Sequence, residues 1–141
     1  MKTIQGPGLF LAQFIRDTEP YNNLEGLGQW AASLGYRGVQ IPGWEPTIFD
    51  LDTAAESMTY CQELKGQLQD MGLEIVEIAS YLQGQVMAMH PAYEQLFQNF
   101  YPQGLKDTER VAWATEQLRK TIRASAHLGT KNISALSGGL A

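Results

Sequence analysis

Apolar side chains recur at intervals of three and four along three stretches of the chain, and each rhythm stops at a glycine. The first stretch carries Leu24, Leu27, Ala31 and Leu34 before Gly35. The second carries Ala54, Met58, Cys61, Leu64, Leu68 and Met71 before Gly72, and the third Val111, Ala114, Leu118, Ile122 and Ala126 before Gly129. Such spacing places the apolar positions on one face of a helix, and a glycine past the last turn accepts the left-handed conformation that ends it. Three helices are therefore predicted. Asn22 or Asn23 would cap the first, and "TAAE" (Thr53 to Glu56) would form a capping box for the second.

A short β-rich run follows each glycine: "RGVQIP" (37–42), "LEIVEIAS" (73–80) and "KNISALSG" (131–138). Another strand, from about Ile4 to Phe14, precedes the first helix. The order strand–helix–strand–helix–strand–helix–strand means a parallel sheet with right-handed helical crossovers. Two α/β architectures accommodate it, a doubly wound open sheet and part of a (β/α)8 barrel, which takes about 250 residues when complete. The phosphate-loop patterns of open-sheet nucleotide binders, G-x-G-x-x-G and G-x-x-x-x-G-K-[ST], do not occur in the sequence. The expected fold is thus a parallel (β/α) half-barrel, the N-terminal part of a TIM barrel. It would be one unit over residues 1–141, with "SGGLA" standing where a further helix would follow.

Composition narrows the partners more than the fold. A chain of 141 residues, 44 % hydrophobic and 18 % charged, is that of one globular domain. Ten basic and fifteen acidic residues give a net charge of −5 with no basic stripe, so neither nucleic acid nor an anionic membrane is an expected partner. Apolar runs are too short to span a bilayer, and Gly6, Pro7, Gly8, Gln13 and Arg16 interrupt the N-terminal one, which makes a poor signal peptide. A single cysteine, Cys61, rules out an internal disulfide and reads as packing; a cytoplasmic location is expected.

Chemistry is concentrated in one connection. Residues 81–107, "YLQGQVMAMHPAYEQLFQNFYPQGLKD", are long for a link inside a compact domain, and long links tend to be functional. They follow the carboxyl end of a strand, where α/β enzymes place their sites. Rings and amides (Tyr81, Gln83, Gln85, His90, Tyr93, Phe97, Phe100 and Tyr101) suit a polyol such as a sugar. An excursion with its own small helix, Pro91 to Phe100, covering the barrel mouth is the other reading.

At these residues the chain resembles a family. "GPGLFLAQF…W…LGYRGVQIP" followed by "SYLQGQVMAMHPAY" is similar to the N-terminal half of the xylose isomerase-like sugar-phosphate isomerase/epimerase barrels. "LQGQ" with "HPAY" shortly after it is the most specific part. The resemblance implies a full barrel with a divalent metal (Mn²⁺, Mg²⁺, Co²⁺ or Zn²⁺) at its carboxyl-end face, held by acidic residues and histidines of later strands. Two carboxylates there shuttle a proton beside a sugar carbonyl, and the metal stabilises the charge that develops. Several relatives have a histidine immediately before "LQGQ", where this chain has Tyr81. That departure leaves the substrate open.

No metal-ligand spacing such as H-E-x-x-H or paired C-x-x-C occurs, and neither catalytic nor metal-binding residues are expected in this chain. His127, in a last helical turn, reads as structural. His90 is a pocket wall, a ligand or base, or a loop-ordering group. Glu74 and Glu77 fall on opposite faces of their strand, with Glu77 pointing into the barrel or held in a salt bridge. Strand ends supply the better candidates. The expected substrate-binding set is Phe14, Gln40, Trp44, Tyr81, Gln83, His90 and Ser137. What the resemblance implies is a fragment of a metal-dependent sugar or sugar-phosphate isomerase/epimerase, inactive alone. Its exposed sheet edges call for the missing C-terminal half or another copy of the chain. The rival is a half-barrel that self-associates as a non-enzymatic binding or structural module.

Overall fold

In a computed structural model that describes residues 6–138, four parallel strands form one open sheet in the order β1-β2-β3-β4. The strands are β1 (Gly8–Phe10), β2 (Gly38–Pro42), β3 (Glu74–Ser80) and β4 (Ile133–Ala135). This is the partial α/β barrel expected from the alternation, and the sheet is not closed. The proposed start of the first strand at Ile4 lies outside the described residues. Its proposed end was too late: the strand stops at Phe10, and Leu11–Gln13 form a 3-10 turn. No helix among the described residues is long and apolar enough to cross a membrane.

Helix α1 (Leu24–Ser33) begins where the Asn23 side chain accepts from the Gly26 N–H at 2.8 Å. Leu24, Leu27 and Ala31 are buried, whereas Leu34, at the helix end, is exposed. The three predicted stops behave alike. Gly35, Gly72 and Gly129 have φ of 87°, 78° and 72°, a region costly for any residue with a Cβ, and each hands the chain towards the next strand.

The second predicted helix is two, α2 (Leu51–Glu56) and α3 (Met58–Asp70), broken where Ser57 is extended. Asp50, not Thr53, caps α2 by accepting from the Thr53 N–H at 3.0 Å; Ser57 caps α3 by accepting from the Tyr60 N–H at 3.2 Å. "TAAE" is therefore the body of α2. Two short helices follow β3 directly, α4 (Tyr81–Gln85) and α5 (Glu94–Phe97), with a 3-10 turn at Pro91–Tyr93. The single small helix expected over Pro91 to Phe100 is that turn plus α5.

Helix α6 (Asp107–Leu128) corrects the predicted stripe. Only Ala114 of the five proposed positions is buried; Val111 and Ile122 face solvent, and the buried face runs through Arg110, Ala114, Thr121, Ala124, Ser125 and Leu128. Small side chains let this face pack close to α2 and α3. Polar ties complete the contact: Lys120 to Asp52 at 2.7 Å, Gln62 donating to the His127 carbonyl at 2.7 Å, and the His127 Nδ1 beside the Ala54 carbonyl at 2.8 Å. His127 is structural, as expected. Cys61 is fully buried in the same layer, and burial pushes its thiol pKa up, away from reactivity.

The core lies between the sheet and its helices. Leu9, Val39, Ile41 and Ile78 meet Leu27, Ala31, Leu64 and Leu68 there. Alternation along the strands turns the intervening residues to the opposite, inner side of the curved sheet. That inner side carries the polar residues.

Candidate functional site

Parallel register brings the inner side chains together. Gln40 of β2 lies opposite Glu77 of β3, and it does so because of a bulge. Val39 pairs with Ile75, Gln40 with Glu77, and Val76 is passed over. A bulge re-aims a side chain relative to a regular ladder. Here it turns Glu77 towards Gln40.

The Gln40 Nε2 donates to the Glu77 carboxylate and lies 3.2 Å from both the Tyr81 hydroxyl and the Ser134 Oγ. Four elements, β2, β3, α4 and β4, thus converge on one amide that is 8 % exposed. The Gln40 Oε1 is buried and has no hydrogen-bond partner among the described residues. An unpaired buried acceptor costs about 1–3 kcal/mol. Such an orphan marks a place where a donor from outside the chain would be welcome.

Above the amide stands an aromatic triangle. Phe10, Trp44 and Tyr81 have ring centroids 6.1, 5.6 and 5.7 Å apart, with Phe10 edge-on to the other two. These residues sit at the carboxyl ends of β1, β2 and β3. The site is an apolar ring wall around a polar floor, open at the strand ends.

Of the expected substrate-binding set, the structure gathers Gln40, Trp44 and Tyr81. Gln83 is near but committed: it is buried, its Nε2 donates to the Gly43 carbonyl at 2.9 Å, and its Oε1 accepts from Ser80 at 3.3 Å. It braces α4 against the loop after β2. Phe14 lies elsewhere, packed on Trp30 of α1 at 4.8 Å, because the 3-10 turn carries it off the sheet; Phe10 holds the inner position instead. His90 is exposed and its Nδ1 accepts from the Ala92 N–H at 3.1 Å, the loop-ordering role. Ser137 is exposed beyond the end of β4, and Ser134 is the serine that reaches the cluster. Among the described residues Glu77 meets the Gln40 amide and no cation, so the salt-bridge alternative finds no partner there. Ser134 and Phe10 were missed; alternation from the correct strand ends would have found both.

A divalent metal needs several oxygen or nitrogen ligands converging on one point. Among the described residues no three His, Cys, Asp or Glu side chains do so, and Glu77 is the one carboxylate of the cluster. These residues do not by themselves fit a metal.

Parallel strands joined by outer helices, with a polar cluster and a ring wall at the carboxyl-end face, define an α/β barrel protein whose sheet is open. A family model described as xylose isomerase-like TIM barrel matches residues 29–141, and the chain belongs to that family. No curated protein sequence matches the chain.

Proposed function

We propose that the inner carboxyl end of the sheet binds a sugar or sugar phosphate, as one wall of a metal-dependent isomerase or epimerase that moves a proton beside a carbonyl. The observation carrying this reading is the buried, unpartnered Gln40 Oε1 beneath an aromatic wall. A sugar hydroxyl would donate to that oxygen while its C–H face lies against Trp44 or Tyr81. Glu77 and Ser134 offer further acceptors, and the Tyr81 hydroxyl can both donate and accept. Family membership supports the isomerase/epimerase class.

The chemistry a divalent ion would supply is polarisation of the substrate oxygens. The described residues do not gather ligands for such an ion. Gln40, Glu77, Tyr81 and Ser134 bind and orient, and the open sheet leaves one side of the substrate uncovered. The chain alone is thus inactive in this reading, and cytoplasmic. Its partners are the small-molecule substrate and a second barrel half or another copy, with neither nucleic acid nor membrane among them.

The test is a titration of the chain with D-xylose, D-glucose and their phosphates, comparing the wild type with Gln40→Met. Saturable binding that the substitution removes is the expected result. Equal binding by the variant would end the reading. In parallel, Mn²⁺ should bind no tighter than millimolar; sub-micromolar affinity would show a metal site within these residues. The outer edges of β1 and β4, unpaired among the described residues, favour a second reading, a self-associating module, which sedimentation would reveal as a discrete dimer with no sugar affinity.

A further inference from the structure

Trp44 also borders a second cavity, of about 330 Å³, in whose lining Phe10, Gln40 and Tyr81 take no part. It opens between the loop after β2, the start of α2, α4 with Leu82 and Gln83, the segment leading from α5 to α6, and α6 itself. Small-molecule sites begin at about 300 Å³, so the space holds one compact ligand.

Its walls are aromatic and held in place. Trp113 of α6 and Tyr101 stand with Trp44 around the space. Arg110 fixes Tyr101 by donating to its hydroxyl at 2.8 Å with the guanidinium carbon 5.1 Å from the ring centroid. Arg110 is itself buried and bound to Glu94 at 2.7 Å and to Asp107. The ring is thus preset by an ion cluster and need not be ordered by the ligand.

The polar groups in the lining are carboxylates and amides. Asp50 and Asp52 lie on one side, Asn99 and Gln117 on the others, and none of the described lining residues is lysine or arginine. Both carboxylates are already engaged: Asp52 with Lys120 at 2.7 Å, and Asp50 with the Thr53 N–H and O–H at 3.0 and 2.7 Å. Each oxygen retains capacity to accept from a hydroxyl. A phosphate dianion would meet the Asp50 carboxylate, which pairs with no cation among the described residues, while the nearby Lys120 is already held by Asp52. An ammonium group would gain little from carboxylates already satisfied.

We propose that this cavity is a carbohydrate site for an uncharged polyhydroxylated ring, distinct from the mouth of the sheet. The inference stands on the cavity's own lining and not on the reading of the mouth. Rings would take the C–H face of the sugar, and Asp50, Asn99 and Gln117 would bind its hydroxyls.

The full chain has three tryptophans, so incorporation of 5-fluorotryptophan gives three fluorine resonances, assignable by single Trp→Phe substitutions. Trp30 is the internal control, packed between Phe14 and Tyr21 at 4.8 and 5.4 Å. Titration with D-glucose should move the Trp113 and Trp44 lines saturably and leave Trp30 still. Glucose 6-phosphate should bind at least about tenfold more weakly, and glucosamine within about threefold of glucose. Asn99→Ala, at an exposed position, should weaken binding about fivefold with the unfolding midpoint unchanged. Gln40→Met, which addresses the mouth, should leave the Trp113 shift intact. Movement of Trp44 alone would confine sugar to the mouth and overturn the proposal, as would a silent spectrum. Glucose 6-phosphate binding as tightly as glucose, or glucosamine tenfold tighter, would overturn the assignment to an uncharged ring.

Discussion

Replacing Gln40 by methionine sets two opposing costs against each other. The wild-type amide gives one charge-assisted hydrogen bond, to Glu77, and two longer contacts at 3.2 Å. A bond to a charged partner contributes about 1.5–3 kcal/mol. Glu77 is only half-buried, so its carboxylate regains water when the amide leaves, which puts the loss near 1.5 kcal/mol. Against this, the substitution abolishes the orphaned Oε1, whose burial costs about 1–3 kcal/mol. Methionine has a similar volume and a flexible stem, so it leaves no cavity of consequence. The net change should lie between about 0.5 kcal/mol of destabilisation and about 1.5 kcal/mol of stabilisation. Urea unfolding followed by tryptophan fluorescence measures it, with the slope unchanged between the proteins. A loss above about 3 kcal/mol would mean that Oε1 is hydrogen-bonded in the folded protein. The acceptor role assigned to it would then fall. Gln40→Ala is the contrasting control, since it empties a buried position and should cost about 2 kcal/mol or more.

Other consequences are simpler. The Asp50 carboxyl is held below the usual carboxylate range by the Thr53 N–H and O–H, so its cap is present above the unfolded pKa near 3.9 and is lost as pH falls through the lower folded value. Asp50→Ala should therefore cost about 0.5–2 kcal/mol at pH 7, and the difference from wild type should shrink below about pH 4 in parallel melts. A Cβ on Gly84 would sit 2.0 Å from the Leu136 carbonyl oxygen, which is backbone and cannot swing aside. Gly84→Ala should destabilise by more than about 3 kcal/mol or leave the chain insoluble, read by thermal melting against Gly66→Ala. At Gly66, in α3, nothing lies within 4 Å of the added Cβ, and alanine should be neutral or stabilising by up to about 1 kcal/mol. Ile78→Ala, in the fully buried centre of β3, should cost about 2–5 kcal/mol by the same assay.

The order of elements was readable because α1, α3 and α6, the helices that lead into strands, each end at a glycine with positive φ and a strand begins soon after. Local rules carry that much. Two failures came from reading the apolar rhythm alone. Ala54, Met58 and Cys61 keep helical spacing across Ser57, yet Ser57 offers an oxygen that caps a new helix, and Met58 is left 60 % exposed. In α6 four of the five proposed apolar positions are not buried. The close contact with α2 and α3 selects small side chains, and Ile122 is left 61 % exposed. At the site, Gln40, Trp44 and Tyr81 were legible from their places at strand ends. The Gln40–Glu77 pairing was not, because it depends on a one-residue slip between strands that no single strand's alternation records. Phe14 and Ser137 failed for one shared reason, strand ends placed three or four positions too late.

The outermost strands, β1 and β4, are three residues each, flanking inner strands of five and seven. At about 3.3 Å per residue, each open border is a backbone template of roughly 10 Å. A newcomer strand could gain only two or three hydrogen bonds there, at about 1 kcal/mol apiece. Main-chain pairing at so short a seam is nearly indifferent to the sequence that docks. Discrimination among candidate neighbours must therefore come from side chains beside the seam, with the exposed Leu136, which directly follows β4, the first to be read.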